Sequence, residues 1–170
     1  MSREKKVAFI KENIALRDGE PVWITSGGRG RGKWTAGTAV SFYKTTCPNG
    51  CERWRLTRQG LHIYKSWIVY VAAFGELPAT VDHKNGDTLD DSLSNLRPAT
   101  KKQQAQNREF KAGRQGVTRR KGCHSRPWMV RITIDGKRRV VGYFATAEEA
   151  SAAYWDAAKK HYGDFARRTA

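Results

Sequence analysis

Acidic residues are scarce in this 170-residue chain: sixteen Asp and Glu stand against thirty-two Lys and Arg, a net charge of +16 with a pI near 10.2. That imbalance goes far beyond what solubility requires and calls for a polyanionic partner, nucleic acid first and an acidic membrane surface second. Long apolar runs are lacking as well. None approaches the roughly 18 to 20 consecutive apolar residues of a membrane span, and the opening Met1-Ser-Arg-Glu-Lys-Lys has no apolar signal core, so a cytoplasmic protein without a membrane partner is expected. Cysteine is rare: Cys47, Cys51 and Cys123 are an odd number, which argues against a disulfide framework. Cys47-Pro-Asn-Gly-Cys51 would supply half of a tetrahedral zinc site, with Cys123 and His124 completing it. The spacing is loose, and reduced thiols flanking a Pro-Asn-Gly turn are the simpler account. With 39% hydrophobic residues, the chain suits two modest modules with small cores rather than one large one.

The N-terminal region predicts a short helix from Lys5 to Leu16, stopped by Asp18-Gly19, and then a strand at Val22–Thr25. Gly27-Gly-Arg-Gly-Arg-Gly-Lys33 has the spacing of a phosphate-binding loop, but Trp34 stands where the metal-holding hydroxyl belongs, so a flexible basic loop is the expectation. Strand-like runs follow at Gly37–Tyr43, Glu52–Leu56 and His62–Tyr64. From Tyr64 to Phe74, Trp67, Ile68, Val71 and Phe74 fall at helical spacing, which predicts a helix with these side chains in the core, ended by Gly75 and Pro78.

The chemistry concentrates at residues 79 to 110. Ala79–His83 reads as a strand, Asn85-Gly86 as a turn, and Leu96–Thr100 as the returning strand, with a helix from about Lys101 into Arg108 behind a Thr100–Gln103 capping box. Gln104 and Asn107 are three residues apart and share a face of that helix. Asp82 beside His83, with Asn95 twelve positions later, is a donor set from which a small protein can assemble a one-metal phosphodiester hydrolase. Asp87, Asp90 and Asp91 read as solvated loop acids.

On Asp82-His83, Asn95-Leu96-Arg97 and Thr100 the segment resembles the HNH endonucleases, specifically the homing-endonuclease branch carried by phages and introns. That resemblance implies His83 as general base for a water, Asp82 as ligand of one Mg2+ or Mn2+ ion, and Asn95 as the residue that orients loop and histidine. Nine residues beyond the central asparagine the family usually has His or Asn as second metal ligand; here it is Gln104, with Asn107 as the substitute. Glutamine offers the same amide oxygen on a chain one methylene longer, so the geometry must adjust.

Beyond a polar linker at 111–115 the pattern changes. Trp128, Val130, Ile132 and Ile134 alternate with Met129, Arg131 and Thr133 as in a half-buried strand. Asp135-Gly136 is a hairpin turn, Arg138–Phe144 the returning strand, and Thr146 with Glu149 a capping box that opens a helix with Ala150, Ala153, Tyr154, Ala157 and Ala158 on one face. From Gly116-Val117 through Trp128, Gly142-Tyr-Phe144 and Gly163 the chain is similar to the Apetala-two/ERF DNA-binding domain, although Val140 stands near a strand position where that family has tryptophan. The similarity implies three strands in the major groove with the helix behind them. Arg119, Arg131 and Arg138 are the candidates for base reading, beside Thr133 facing outward, and Arg120, Lys121 and Lys137 for phosphate contact.

These readings combine into an α+β chain: an HNH (ββα-metal) module over 1–110 and, over 116–170, a three-stranded antiparallel sheet packed on one helix. The expected activity is metal-dependent cleavage of double-stranded DNA, nicking as a monomer, with a dimer as the route to a double-strand break. A catalytically weak or inactive DNA-binding or regulatory protein that retains the hairpin as a scaffold is the alternative, favoured by Gln104; RNA binding rests on charge alone.

Overall fold

The structure, a computed structural model, describes residues 2–48, 50–107, 116–122 and 125–166. The expected linker 111–115 and Arg108, Cys123 and His124 lie outside them. The chain is mixed α/β, with small antiparallel sheets and four α-helices among the described residues. It divides into two compact units, Met1–Lys101 and Lys102–Ala170.

The first unit opens with α1, Arg3–Asn13, capped by the Ser2 hydroxyl, which accepts from the Lys5 amide. This helix is shorter than expected, because Ile14–Arg17 leaves it as β1 and returns as β2, Glu20–Trp23. Asp18 and Gly19 both take positive φ, 52° and 81°, as a two-residue hairpin turn of primed type demands. The dipeptide read as a helix stop closes a hairpin instead.

The glycine-rich segment after β2 builds no phosphate cradle. Gly27 and Trp34 exchange backbone N–H···O bonds of 3.1 and 2.9 Å, and the buried Trp34 ring stacks on Trp23 at 5.0 Å between centroids. A Cβ on Gly27 or Gly28 would strike that ring at 2.7 or 2.8 Å, so the glycines make room for an indole rather than a phosphate. The strand expected at Gly37–Tyr43 is mostly absent; a single bridge joins Ala39 to Val22, and regular pairing starts at Tyr43. There β3 (Tyr43–Thr46), β4 (Glu52–Arg58) and β5 (Leu61–Tyr64) form a meander. Cys47 and Cys51, at its first turn, are not joined in a disulfide, and the Cys47 amide donates to the Cys51 carbonyl over 2.7 Å.

Helix α2, Lys65–Phe74, ends at Gly75 in the left-handed region (φ 76°), whose amide caps the Val71 carbonyl. It is apolar on two sides, as a helix buried between two layers must be. Ile68 and Val71 join Phe9, Ile10, Ile14, Trp23, Leu56 and Ile63 in the main core. Val69 and Tyr70 pack instead with Val81 and Leu96. Trp67 is half-buried against both clusters, but Phe74, expected in the core, is 58% exposed: it sits in the last turn, with its ring against Tyr70.

Val81 and Leu96 belong to the hairpin of β6, Thr80–His83, and β7, Leu96–Ala99. Burial of such side chains contributes on the order of 1.5–3 kcal/mol each, so α2 is the floor that fixes where the end of β6 lies.

In the second unit the antiparallel order is β10-β9-β8, with β8 at Val117–Arg119, β9 at Trp128–Ile134 and β10 at Lys137–Phe144. A bulge between Val140 and Gly142 shifts the register of β10. Helix α4, Ala147–Tyr162, is capped reciprocally: the Thr146 hydroxyl accepts from the Glu149 amide, and the Glu149 carboxylate accepts from the Ala145 amide, both at 3.1 Å. Val130 and Ile132 pack on Ala150, Tyr154 and Ala158, flanked by Trp128 and Ile134. Helix α3 spans Lys101–Gln106, so the division between units falls within its first turn.

Candidate active site

The last two residues of β6 are Asp82 and His83, each only 4% exposed. Asp82 lies directly across the ladder from Arg97, and Nε and Nη2 of that arginine are each 2.9 Å from Oδ2 of Asp82. Successive strand residues leave on opposite faces, so His83 meets a different partner. Its Nε2 is 2.8 Å from Oδ1 of Asp91, and both side chains are almost fully buried. Asp91 is therefore no solvated loop acid: the loop after His83 brings it back beneath the histidine, where a hydrogen-bonding partner offsets the cost of burying a carboxylate.

Asn95 controls that loop from its far end. Its Oδ1 accepts from the Asn85 amide at 3.0 Å and its Nδ2 donates to the Asp90 carbonyl at 2.7 Å, while its own carbonyl accepts from the Lys84 amide. Asp90 serves the loop too, accepting from the Ser92 hydroxyl, the Ser92 amide and Asn85 Nδ2. The Ser92 hydroxyl, then its amide, hold the Asp90 carboxyl below the usual carboxylate range. Asp87 is exposed and accepts from the Leu89 amide.

The structure thus brings His83, Asp91 and Asn95 together at one end of the hairpin, with Asp82 and Arg97 paired beside them. Gln104, on α3, and Asn107, just past it, belong to the second unit; Gln104 is half-buried and Asn107 buried. Asp91 and Arg97 are the residues the sequence reading missed. Arg97 stood within the quoted Asn95-Leu96-Arg97 motif, and its role becomes visible once the strand register places it opposite Asp82.

Residues 64–106 match the model of the HNH endonuclease family. The match suggests nuclease activity on DNA, and it runs from the end of β5 through α2 and the hairpin to α3. The HNH segment therefore lies in the middle of the chain and not at its N-terminus: α1, β1, β2 and the β3-β4-β5 meander precede it. The comparisons with curated proteins and with solved structures found no match.

HNH nucleases generally use divalent metals. Among the described residues no group of three or more His, Cys, Asp or Glu side chains gathers to hold an ion. Such a cluster is not what a hard cation at a phosphodiester needs: magnesium commonly takes one or two carboxylates and completes its shell with water and substrate oxygens. Asp82 fits that chemistry, since a carboxylate offers about four lone-pair sites.

On the sheet of the second unit, cross-strand pairing sorts the basic residues. Thr133 pairs with Arg138, Arg131 with Val140, and Met129 with both Thr118 and Tyr143, so these share the face opposite α4. The Arg120 guanidinium lies over the Tyr143 ring at 5.0 Å. Arg119 pairs with Trp128 and Lys137 with Ile134, which puts both on the helix side of the sheet, at strand ends where they are exposed. Lys121 is exposed in the turn after β8.

Proposed function

We propose that the chain is a metal-dependent DNA endonuclease of the homing type, encoded by a phage or mobile element and acting in the cytoplasm of a bacterial host. The observation that carries this reading is the placement of His83 and Asp82 at the end of an HNH-type hairpin whose loop is gripped by Asn95. The proposed cutting module extends over 1–110, and 116–170 forms a separate Apetala-two/ERF-like module that reads duplex sequence. Arg131, Thr133 and Arg138 share one face there, with Arg120 over Tyr143 beside them, and Arg119, Lys121 and Lys137 supply further positive charge at the margins.

His83 takes a proton from the attacking water, the role a neutral imidazole fills near pH 7. Asp82 would hold one Mg2+ or Mn2+ ion. When bound, that ion offsets negative charge on the phosphate and the departing oxygen. Arg97 orients the Asp82 carboxylate. One such site cuts one strand, so a monomer nicks.

A non-catalytic DNA-binding protein is the second reading. Its support is the burial of both Asp82 and His83 against side-chain partners, Arg97 and Asp91, together with Gln104 at the usual His/Asn position. Incubating supercoiled plasmid with Mg2+ or Mn2+ separates the two: the wild type converts it to open circle, and His83→Ala does so roughly 10²- to 10⁴-fold more slowly. A wild type that leaves every tested DNA intact with either ion, while still binding it, establishes the second reading.

A further inference from the structure

Asp91 has a carboxylate 97% removed from solvent, 2.8 Å from Nε2 of His83. A buried acid at hydrogen-bonding distance from the base of a hydrolytic site accepts the ring proton, and that choice decides which nitrogen keeps its lone pair. We propose that Asp91 is the positioning residue of the site: it holds His83 as the Nε2–H form, so that Nδ1 is the atom that takes the proton from water. The inference rests on His83 being the base and adds to it the choice of nitrogen and the group that makes it.

The loop is built to present this one oxygen. Asn95 Nδ2 grips the carbonyl of Asp90, the residue immediately before Asp91. Asp90 in turn receives the Ser92 amide and hydroxyl, so the backbone on both sides of Asp91 is fixed. On the near side, the Gly86 amide donates to the His83 carbonyl at 3.0 Å, and Asn95 Oδ1 takes the Asn85 amide. Asn95 thus positions His83 at two removes, through Asp90 and Asp91, with no bond of its own to the ring among those described.

During the reaction the water oxygen bonds to phosphorus as its proton passes to Nδ1. The bridging P–O bond breaks, its electron pair leaving with the sugar oxygen, which takes a proton from solvent. His83 is then an imidazolium bearing protons on both nitrogens, and the Asp91 carboxylate offsets that charge where solvent cannot. The proton on Nδ1 later returns to water, restoring the starting form.

The test pairs kinetics with a spectroscopic signature, using the full chain with supercoiled plasmid and Mg2+. Asp91→Asn is isosteric and keeps the loop, but its side chain is uncharged and can donate as well as accept; Asp91→Ala removes the group. Both are expected to lower kcat by roughly 10²- to 10⁴-fold, as loss of an acid behind a catalytic histidine does elsewhere, while KM for DNA stays within about twofold. The ¹⁵N spectrum of wild-type His83 is expected to show the proton on Nε2 and not on Nδ1, and Asp91→Asn to shift the ring toward the Nδ1–H form. A purely structural role would move KM and spectral dispersion and leave the tautomer alone. If the wild type nicks and Asp91→Asn nicks equally fast, or if wild-type His83 carries its proton on Nδ1, the assignment of Asp91 is overturned with the nuclease reading intact. An inert wild type overturns both.

Discussion

Replacing Asn95 with alanine removes the two side-chain bonds that close the loop over 84–94: Asn85 amide to Oδ1 at 3.0 Å, and Nδ2 to the Asp90 carbonyl at 2.7 Å. Each is worth about 0.5–1.5 kcal/mol net, and the groups left behind lose partners in a site where Asn95 itself is 8% exposed. The sum is about 2 kcal/mol, close to a thirtyfold change in the closing equilibrium of the loop. Val69, Tyr70, Val81 and Leu96 hold the hairpin strands to α2 independently of Asn95, so the strands should stay paired while the loop opens locally. Amide hydrogen exchange at Asn85 reads that opening directly, and urea unfolding gives the total for the first unit. Nicking should fall with it. Because Asn95 acts on His83 through Asp90 and Asp91, its effect on kcat should be less than additive with that of Asp91→Asn. A stability loss below about 0.5 kcal/mol, with Asn85 exchange unchanged, refutes the reasoning.

Two predictions concern the second unit. Gly116 has φ +76°, and a Cβ there would lie 2.0 Å from the Arg131 carbonyl oxygen, which is backbone and cannot swing aside. Gly116→Ala should therefore destabilise this unit by about 2 kcal/mol or more, read as a lower melting temperature, and an unchanged melting temperature would contradict the close approach. Arg131→Ala should weaken DNA binding roughly 5- to 150-fold with the sheet still folded by circular dichroism; unchanged affinity at moderate salt removes Arg131 from the interface.

Local signals carried much of this chain. The reciprocal Thr146–Glu149 cap and the Asp135-Gly136 turn act within a few residues, and they fixed α4 and the β9–β10 hairpin because nothing distant competes with them. The alternation of Val130 and Ile132 with Arg131 and Thr133 likewise separated core from surface. Where one dipeptide serves two structures, local reading failed: Asp18-Gly19 ends a helix or closes a hairpin, and the packing of Ile14 and Trp23 into the main core goes with the second. Phe74 fell at core spacing, but helical periodicity does not say where the neighbouring layer ends.

The chemistry divides in the same way. The sequence by itself determined which groups are present and at what spacing: an aspartate and histidine side by side, an asparagine twelve residues on, and an excess of positive charge suited to DNA. Only the tertiary structure decided what each group meets. Strand register put Arg97 across from Asp82, and the path of the loop between β6 and β7 brought Asp91 to Nε2 of His83. Neither pairing follows from composition or periodicity, because a loop acid is an ordinary solvated charge until the chain folds it under an imidazole and excludes the water.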